Sequence, residues 1–96
     1  LVVDDNVDAA DSLAMLLRLE GHDVRTAHSG QQALQLSRQW RPATVLLDIG
    51  LPTIDGYEVA RRLRAAPDGR ELRLVAVTGY GRADDRAATE AAGFDA

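Results

Sequence analysis

The 96-residue sequence predicts an α/β fold built on a parallel sheet, and three observations carry that prediction. Short apolar runs alternate along the chain with segments whose apolar residues recur at intervals of three and four. No two-residue turn joins two strand-like runs, so successive strands are linked by helical crossovers of the right-handed kind. The run Thr44 to Asp48, TVLLD, is apolar without alternation, the pattern of a strand buried on both faces of a parallel sheet.

Each element has a local reason. Leu1 to Val3 is too short for a whole strand, so the chain is expected to begin inside one and to have its true start upstream. Asn6 is placed to cap a helix over Val7 to Glu20, with Ala10, Leu13, Ala14 and Leu17 on one face, Asp8 and Asp11 in the first turns and Gly21 at the stop. Asp23 to Ala27 reads as a short strand. Ser29 and Gln32 form a capping-box pattern that opens a helix to about Trp40, ended by Pro42.

After Thr44 to Asp48, the stretch IGLPTIDG reads as a tight loop because it holds Gly50, Pro52, Asp55 and Gly56. Tyr57 to Ala66 is expected as a helix with Val59, Ala60 and Leu63 inward, and Pro67 to Glu71 as a turn. Leu74 to Val77 forms a strand that leads into Thr78 and a glycine loop. Asp84 or Asp85 opens the last helix, and Gly93 closes it.

Composition narrows the function. Eleven basic against fifteen acidic residues give a net charge of −4, and no basic cluster suggests nucleic-acid binding by this segment. All eleven basic residues are arginine. The absence of cysteine excludes disulfides and thiolate metal sites. No apolar run approaches a membrane span and no signal peptide is seen, so a soluble, cytoplasmic domain is expected.

In parallel sheets ligands bind outside the carboxyl ends of the strands, which directs attention to Asp4, Asp5, Asp48 and Thr78. Adjacent carboxylates repel and raise each other's pKa, so Asp4 and Asp5 persist side by side only if well solvated or sharing a cation. A single Asp at a strand end is more often a turn former or helix cap. The doubling at Asp4 and Asp5 and the repeat at Asp48 favour a hard-oxygen site suited to Mg²⁺. A carboxylate beside such an ion is also a competent nucleophile toward a phosphoryl group. Thr78 could donate a hydrogen bond to a phosphoryl oxygen.

At these residues the chain resembles a known family. LVVDDN, VLLDIGLPTIDGYE, VAVTGYG and AAGFDA are similar, in order and spacing, to the signature segments of the response-regulator receiver domain of two-component signalling. The resemblance covers residues 1–96. It implies a doubly wound, flavodoxin-like sheet of order 2-1-3-4-5 with helices on both faces, the fifth strand and last helix falling outside this chain. It implies that Asp48 accepts a phosphoryl group from a phosphohistidine on a histidine kinase or histidine phosphotransfer domain. Asp5, Asp48 and the backbone carbonyl of Gly50 would hold Mg²⁺, with Asp4 reaching it through water, and Thr78 would be the switch hydroxyl. An output domain or protein downstream and a route to a homodimer are implied too, and the style of VTGYG and GFDA is that of receivers attached to hybrid histidine kinases. The family's phosphate-binding lysine belongs to the fifth strand, beyond Ala96.

Two other functions are weighed against this one. A degenerate receiver would act only as a protein-interaction module. A Mg²⁺-dependent aspartyl phosphohydrolase of haloacid-dehalogenase type would place a second Asp two residues after the nucleophile, where this chain has Gly50. Four sets of residues are read as structural. His22 and His28 are taken as surface residues away from the acidic edge, Trp40 as a packing or rim residue, Leu13 and Leu17 as core, and Arg61, Arg62 and Arg64 as a solvated complement to their helix C-terminus.

Overall fold

The computed structural model describes residues 1–49, 56–66, 69, 71–77 and 91–95. In chain order the elements are β1 (Val2–Val3), α1 (Val7–Leu19), β2 (Thr26–Ala27), α2 (Gly30–Trp40), β3 (Thr44–Asp48), α3 (Gly56–Ala65) and β4 (Arg73–Val77). All strand pairs are parallel, in the order β2-β1-β3-β4. The expected α/β parallel sheet is thus the observed one. The helix expected from Asp84 or Asp85 lies outside the described residues except at its end, where residues 91 and 92 are helical.

Caps set the helix boundaries. The Asn6 side chain accepts the Ala9 N–H at 3.1 Å, and α1 ends with the Gly21 N–H on the Arg18 carbonyl and the His22 N–H on the Leu17 carbonyl. That pairing needs a left-handed residue, and Gly21 takes φ 94° without strain. Ser29 Oγ accepts the Gln32 N–H at 3.1 Å, while Gln32 Oε1 reaches past the cap to the N–H of His28 at 2.9 Å. Helix α2 stops at Arg41, which adopts φ 53° immediately before Pro42.

Alternate residues of the central strands serve two helical layers. Val3, Val45, Leu47 and Leu74 pack with Ala33 of α2 and Val59, Ala60 and Leu63 of α3. Val2 packs with Ala10, Ala14 and Val24, and Leu13, Leu17 and Leu46 lie partly buried against that cluster. Each fully buried Val or Leu contributes roughly 1.5 to 3 kcal/mol, so among the described residues the α2–α3 side contributes more to stability than the α1 side. Two expectations are corrected here. Strand β3 is fully buried only at alternate positions, with Leu46 partly buried against the α1 cluster. Leu13 and Leu17 are half-buried against that cluster rather than core, and Met15, Leu16 and Leu19 of α1 are exposed.

Strand β2 is shorter than the expected Asp23 to Ala27. Its described pairs are Val2 with Thr26 and Val3 with Ala27. Helix α3 begins one residue early, at Gly56, and β4 begins at Arg73. Trp40 sits at the rim as expected, with the Arg25 guanidinium 4.8 Å from its ring centre.

Arg64 departs from the expected solvated role. It lies at the last turn of α3 and points inward: Nε donates to the Gly93 carbonyl at 2.8 Å, and Nη1 donates to the carbonyls of Gly69 and Leu72. Nη2 meets Asp95 Oδ2 at 2.7 Å, and the same oxygen accepts the Leu74 N–H at 2.8 Å. One guanidinium therefore ties α3, the start of β4 and residues 93–95 together. Arg61 and Arg62 behave as expected, pairing with Glu58 on the exposed face at 3.2 Å.

Arg64→Met keeps the stem but strands three carbonyls, and it should lower unfolding free energy by about 2 to 3 kcal/mol in urea titration. The bond from Leu74 N–H, followed by that from Arg64, holds Asp95 below the usual carboxylate range. A depressed folded pKa contributes stability that is present above the unfolded value of about 3.9 and is lost as pH falls through the folded one. Asp95→Asn should therefore flatten the loss of melting temperature on acidification below about pH 4, as read by circular dichroism.

Candidate functional site

The sheet register assembles the acidic edge. Val2 pairs with Leu46 and Val3 with Leu47, so Asp4 leaves β1 alongside Asp48 at the end of β3. Carboxylate oxygens of Asp4, Asp5 and Asp48 all lie within 4.8 Å of one another. Asp4 and Asp48 are partly buried and Asp5 is exposed. Three of the residues singled out from the sequence are thus brought together. Gly50 and Thr78 lie outside the described residues, although Val77, the residue before Thr78, is the register partner of Asp48.

The backbone around the acid pair is tied down. The Asp4 N–H donates to the Ala27 carbonyl at 3.0 Å, continuing the β1–β2 ladder. The Asn6 N–H donates to Asp4 Oδ1 at 3.0 Å. Asp4 is held above the ordinary carboxylate range, chiefly by burial, with the charges of Asp48 and Asp5 adding to it and the Asn6 bond opposing it. Clustered carboxylates of this kind suit a hard divalent cation, because the cation cancels the repulsion that the fold imposes. The donor set fits Mg²⁺, which binds through one or two carboxylates and keeps several waters.

Gly56 is the point of closest approach behind the site. Its N–H donates to the Ile49 carbonyl at 3.2 Å, and a Cβ built on it would lie 2.3 Å from the Ile49 Cα and 2.7 Å from the Asp48 carbonyl oxygen. Only glycine lets α3 start against the end of β3. The sequence marked Gly56 as a loop residue and gave no sign of this contact.

His28 was expected away from the acidic edge and is not. It follows β2 directly, and its Nδ1 lies 3.2 Å from the Asp4 carbonyl oxygen. The rule that picked out Asp4, Asp5 and Asp48, the first polar residue past each parallel strand, finds His28 when applied to β2. His22, at the other end of β2, is exposed as expected.

Asp4, Asp5 and Asp48 of the receiver-domain signature segments share one sheet edge, and the response regulator receiver domain pattern matches residues 1–96. The chain belongs to the response regulator receiver domain family. A putative response regulator from Chloroflexus aurantiacus is similar in structure, with TM-score 0.89 and 35% identity over 98% of this chain and 77% of that one. The Vibrio cholerae chemotaxis protein CheY4 shares the fold, with TM-score 0.90 at 22% identity over 97% of this receiver and 78% of that chain.

Among curated relatives, an uncharacterised 14.6 kDa protein of Leptolyngbya boryana is 38% identical over 95 residues, 99% of this receiver and 72% of that protein. The transcriptional regulatory protein PrrA of Mycobacterium tuberculosis is 39% identical over 95 residues. The receiver spans 40% of the length of PrrA. Like the family, it is a two-component signalling domain of flavodoxin-like fold.

Two outcomes test this geometry. Gly56→Ala should destabilise the domain by at least about 2 kcal/mol in chemical denaturation, because the new methyl meets backbone that cannot turn away. Asp4→Asn should act oppositely in metal-free buffer. A folded pKa raised above the unfolded one means that ionised Asp4 costs the fold stability at neutral pH, a cost that disappears as pH falls through the folded value. Removing the charge should raise the melting temperature by about 3 °C without metal and shrink the further rise produced by Mg²⁺.

Proposed function

We propose that residues 1–96 act as one phosphoacceptor unit in which Asp48 is the reacting carboxylate. A histidine kinase or histidine phosphotransfer domain supplies the phosphoryl group. The observation that carries this reading is the convergence of three carboxylates from β1 and β3 at the carboxyl edge of a receiver sheet. Asp48 sits at the end of β3, between the acid pair and β4.

In the reaction an Asp48 carboxylate oxygen attacks the phosphorus of a phosphohistidine. The P–N bond breaks, its electron pair returns to the imidazole, and an aspartyl phosphate forms. A Mg²⁺ ion held by Asp5, Asp48 and the Gly50 carbonyl, with Asp4 through water, would supply charge neutralisation to the transferring group. Asp4 is kept in place by its backbone bond to the Ala27 carbonyl and by the Asn6 N–H donated to its carboxylate. Thr78, directly after the register partner of Asp48, is the hydroxyl that follows the added charge, biasing a two-state equilibrium in the segment after β4. That change passes the signal to a downstream output domain or protein. A cytoplasmic setting accords with a described structure in which no helix is long and apolar enough to cross a membrane.

Incubation with Mg²⁺ and acetyl phosphate should add one phosphoryl group, detected by intact mass, and Asp48→Asn should cut the initial rate at least about a hundredfold. Equal labelling of the parent and Asp48→Asn would remove Asp48 from this role. The cognate kinase or phosphotransfer domain is the stricter donor, since recognition as well as chemistry is then required.

A further inference from the structure

The β1–β2 ladder ends at the acid pair in an unusual way. The last backbone bond runs from the Asp4 N–H to the Ala27 carbonyl. One more step in the same parallel register would bring the N–H of residue 29 to the Asp4 carbonyl. The chain turns there instead, because Ser29 is the N-cap of α2. The ring of His28 takes the place of the missing donor, with Nδ1 at 3.2 Å from the Asp4 carbonyl oxygen. A carbonyl oxygen only accepts, so this bond requires the proton on Nδ1.

The Asp4 carbonyl belongs to the peptide that joins Asp4 to Asp5. That peptide is planar, so holding its oxygen fixes the plane from which both side chains depart. With the Asp4 N–H on Ala27 and its carbonyl on His28, both backbone groups of Asp4 are bound to the exit of β2. His28 is itself fixed, since its N–H donates to Gln32 Oε1 at 2.9 Å and its ring is partly buried.

We infer that His28 is a positioning residue for the cation site. Its Nδ1–H, donated to the Asp4 carbonyl, sets the relative aim of the Asp4 and Asp5 carboxylates and thereby the affinity for a divalent cation. The inference rests on the Mg²⁺ reading proposed above and adds a residue that touches neither cation nor phosphoryl group. Groups that orient ligands from outside the coordination sphere typically change metal affinity by about 10- to 100-fold when removed.

The test is a calorimetric titration with Mg²⁺ alone on the parent chain, His28→Leu, His28→Asn and Asp5→Asn. Leucine fills the space without a donor, whereas the asparagine amide places an N–H near the position of Nδ1. His28→Leu should bind Mg²⁺ about tenfold more weakly, and His28→Asn should stay within about threefold of the parent. Equal affinity in the parent and His28→Leu, or the same loss in both His28 variants, would overturn the inference. Asp5→Asn separates the two levels. If it abolishes binding while His28→Leu does not alter it, the role of His28 alone fails. If it binds as the parent does, the cation reading fails and the inference with it. A further measurement is independent of whether the variants fold. Nitrogen NMR of the neutral parent ring should show the Nδ1–H tautomer, and an Nε2–H tautomer would overturn the assignment.

Discussion

The parallel pairing of β1 with β3 is the constraint on which the rest of this receiver depends. Val2 opposite Leu46 and Val3 opposite Leu47 leave no freedom in where Asp4 and Asp48 emerge. A slip of one residue would turn Val3 and Leu47 away from α2 and α3 and expose a large part of the core. Burial therefore fixes the register, and the register delivers the carboxylates to one edge as a by-product. Among the described residues the largest fully buried side chains, Val3, Val45, Leu47, Leu74 and Val59, are the ones that enforce it.

The acidic edge works against that stability. Asp4 is raised by burial and by its charged neighbours, so the folded state carries a cost that a cation can remove. The fold bears this cost because the groups there are bound: the Asp4 backbone to Ala27 and His28 on the β2 side, its carboxylate to the Asn6 N–H at the start of α1, and Gly56 against the end of β3. A site built on strand ends is held more accurately than one built on a free loop, which suits a reaction that needs an oxygen and a phosphorus aligned. Arg64 does similar work at the opposite end of α3, binding the start of β4 and residues 93–95.

Much of this was legible along the chain. The caps Asn6 and Ser29, the stop at Gly21 and the strand Thr44 to Asp48 depend on residues within a few positions of one another, and the structure places them as read. The readings that failed involve distant partners. His28 meets the Asp4 carbonyl across 24 residues, and Arg64 meets Gly93 and Asp95 across 29 and 31. Nothing near either residue announces its partner. An arginine in the last turn of a helix complements the helix dipole whether it stays in solvent or turns inward.

The sequence by itself determined the alternation of strands and helices, the carboxylates at the strand ends and hence the family. Those features follow from side-chain periodicity and local capping, which operate within one or two turns of chain. Tertiary structure decided that Asp4, Asp5 and Asp48 share a single edge, that Gly56 admits no side chain, and that His28 and Arg64 act as internal donors. Each of these requires two segments to be packed and in register before the contact exists, and register is a property of the assembled core rather than of any stretch of sequence.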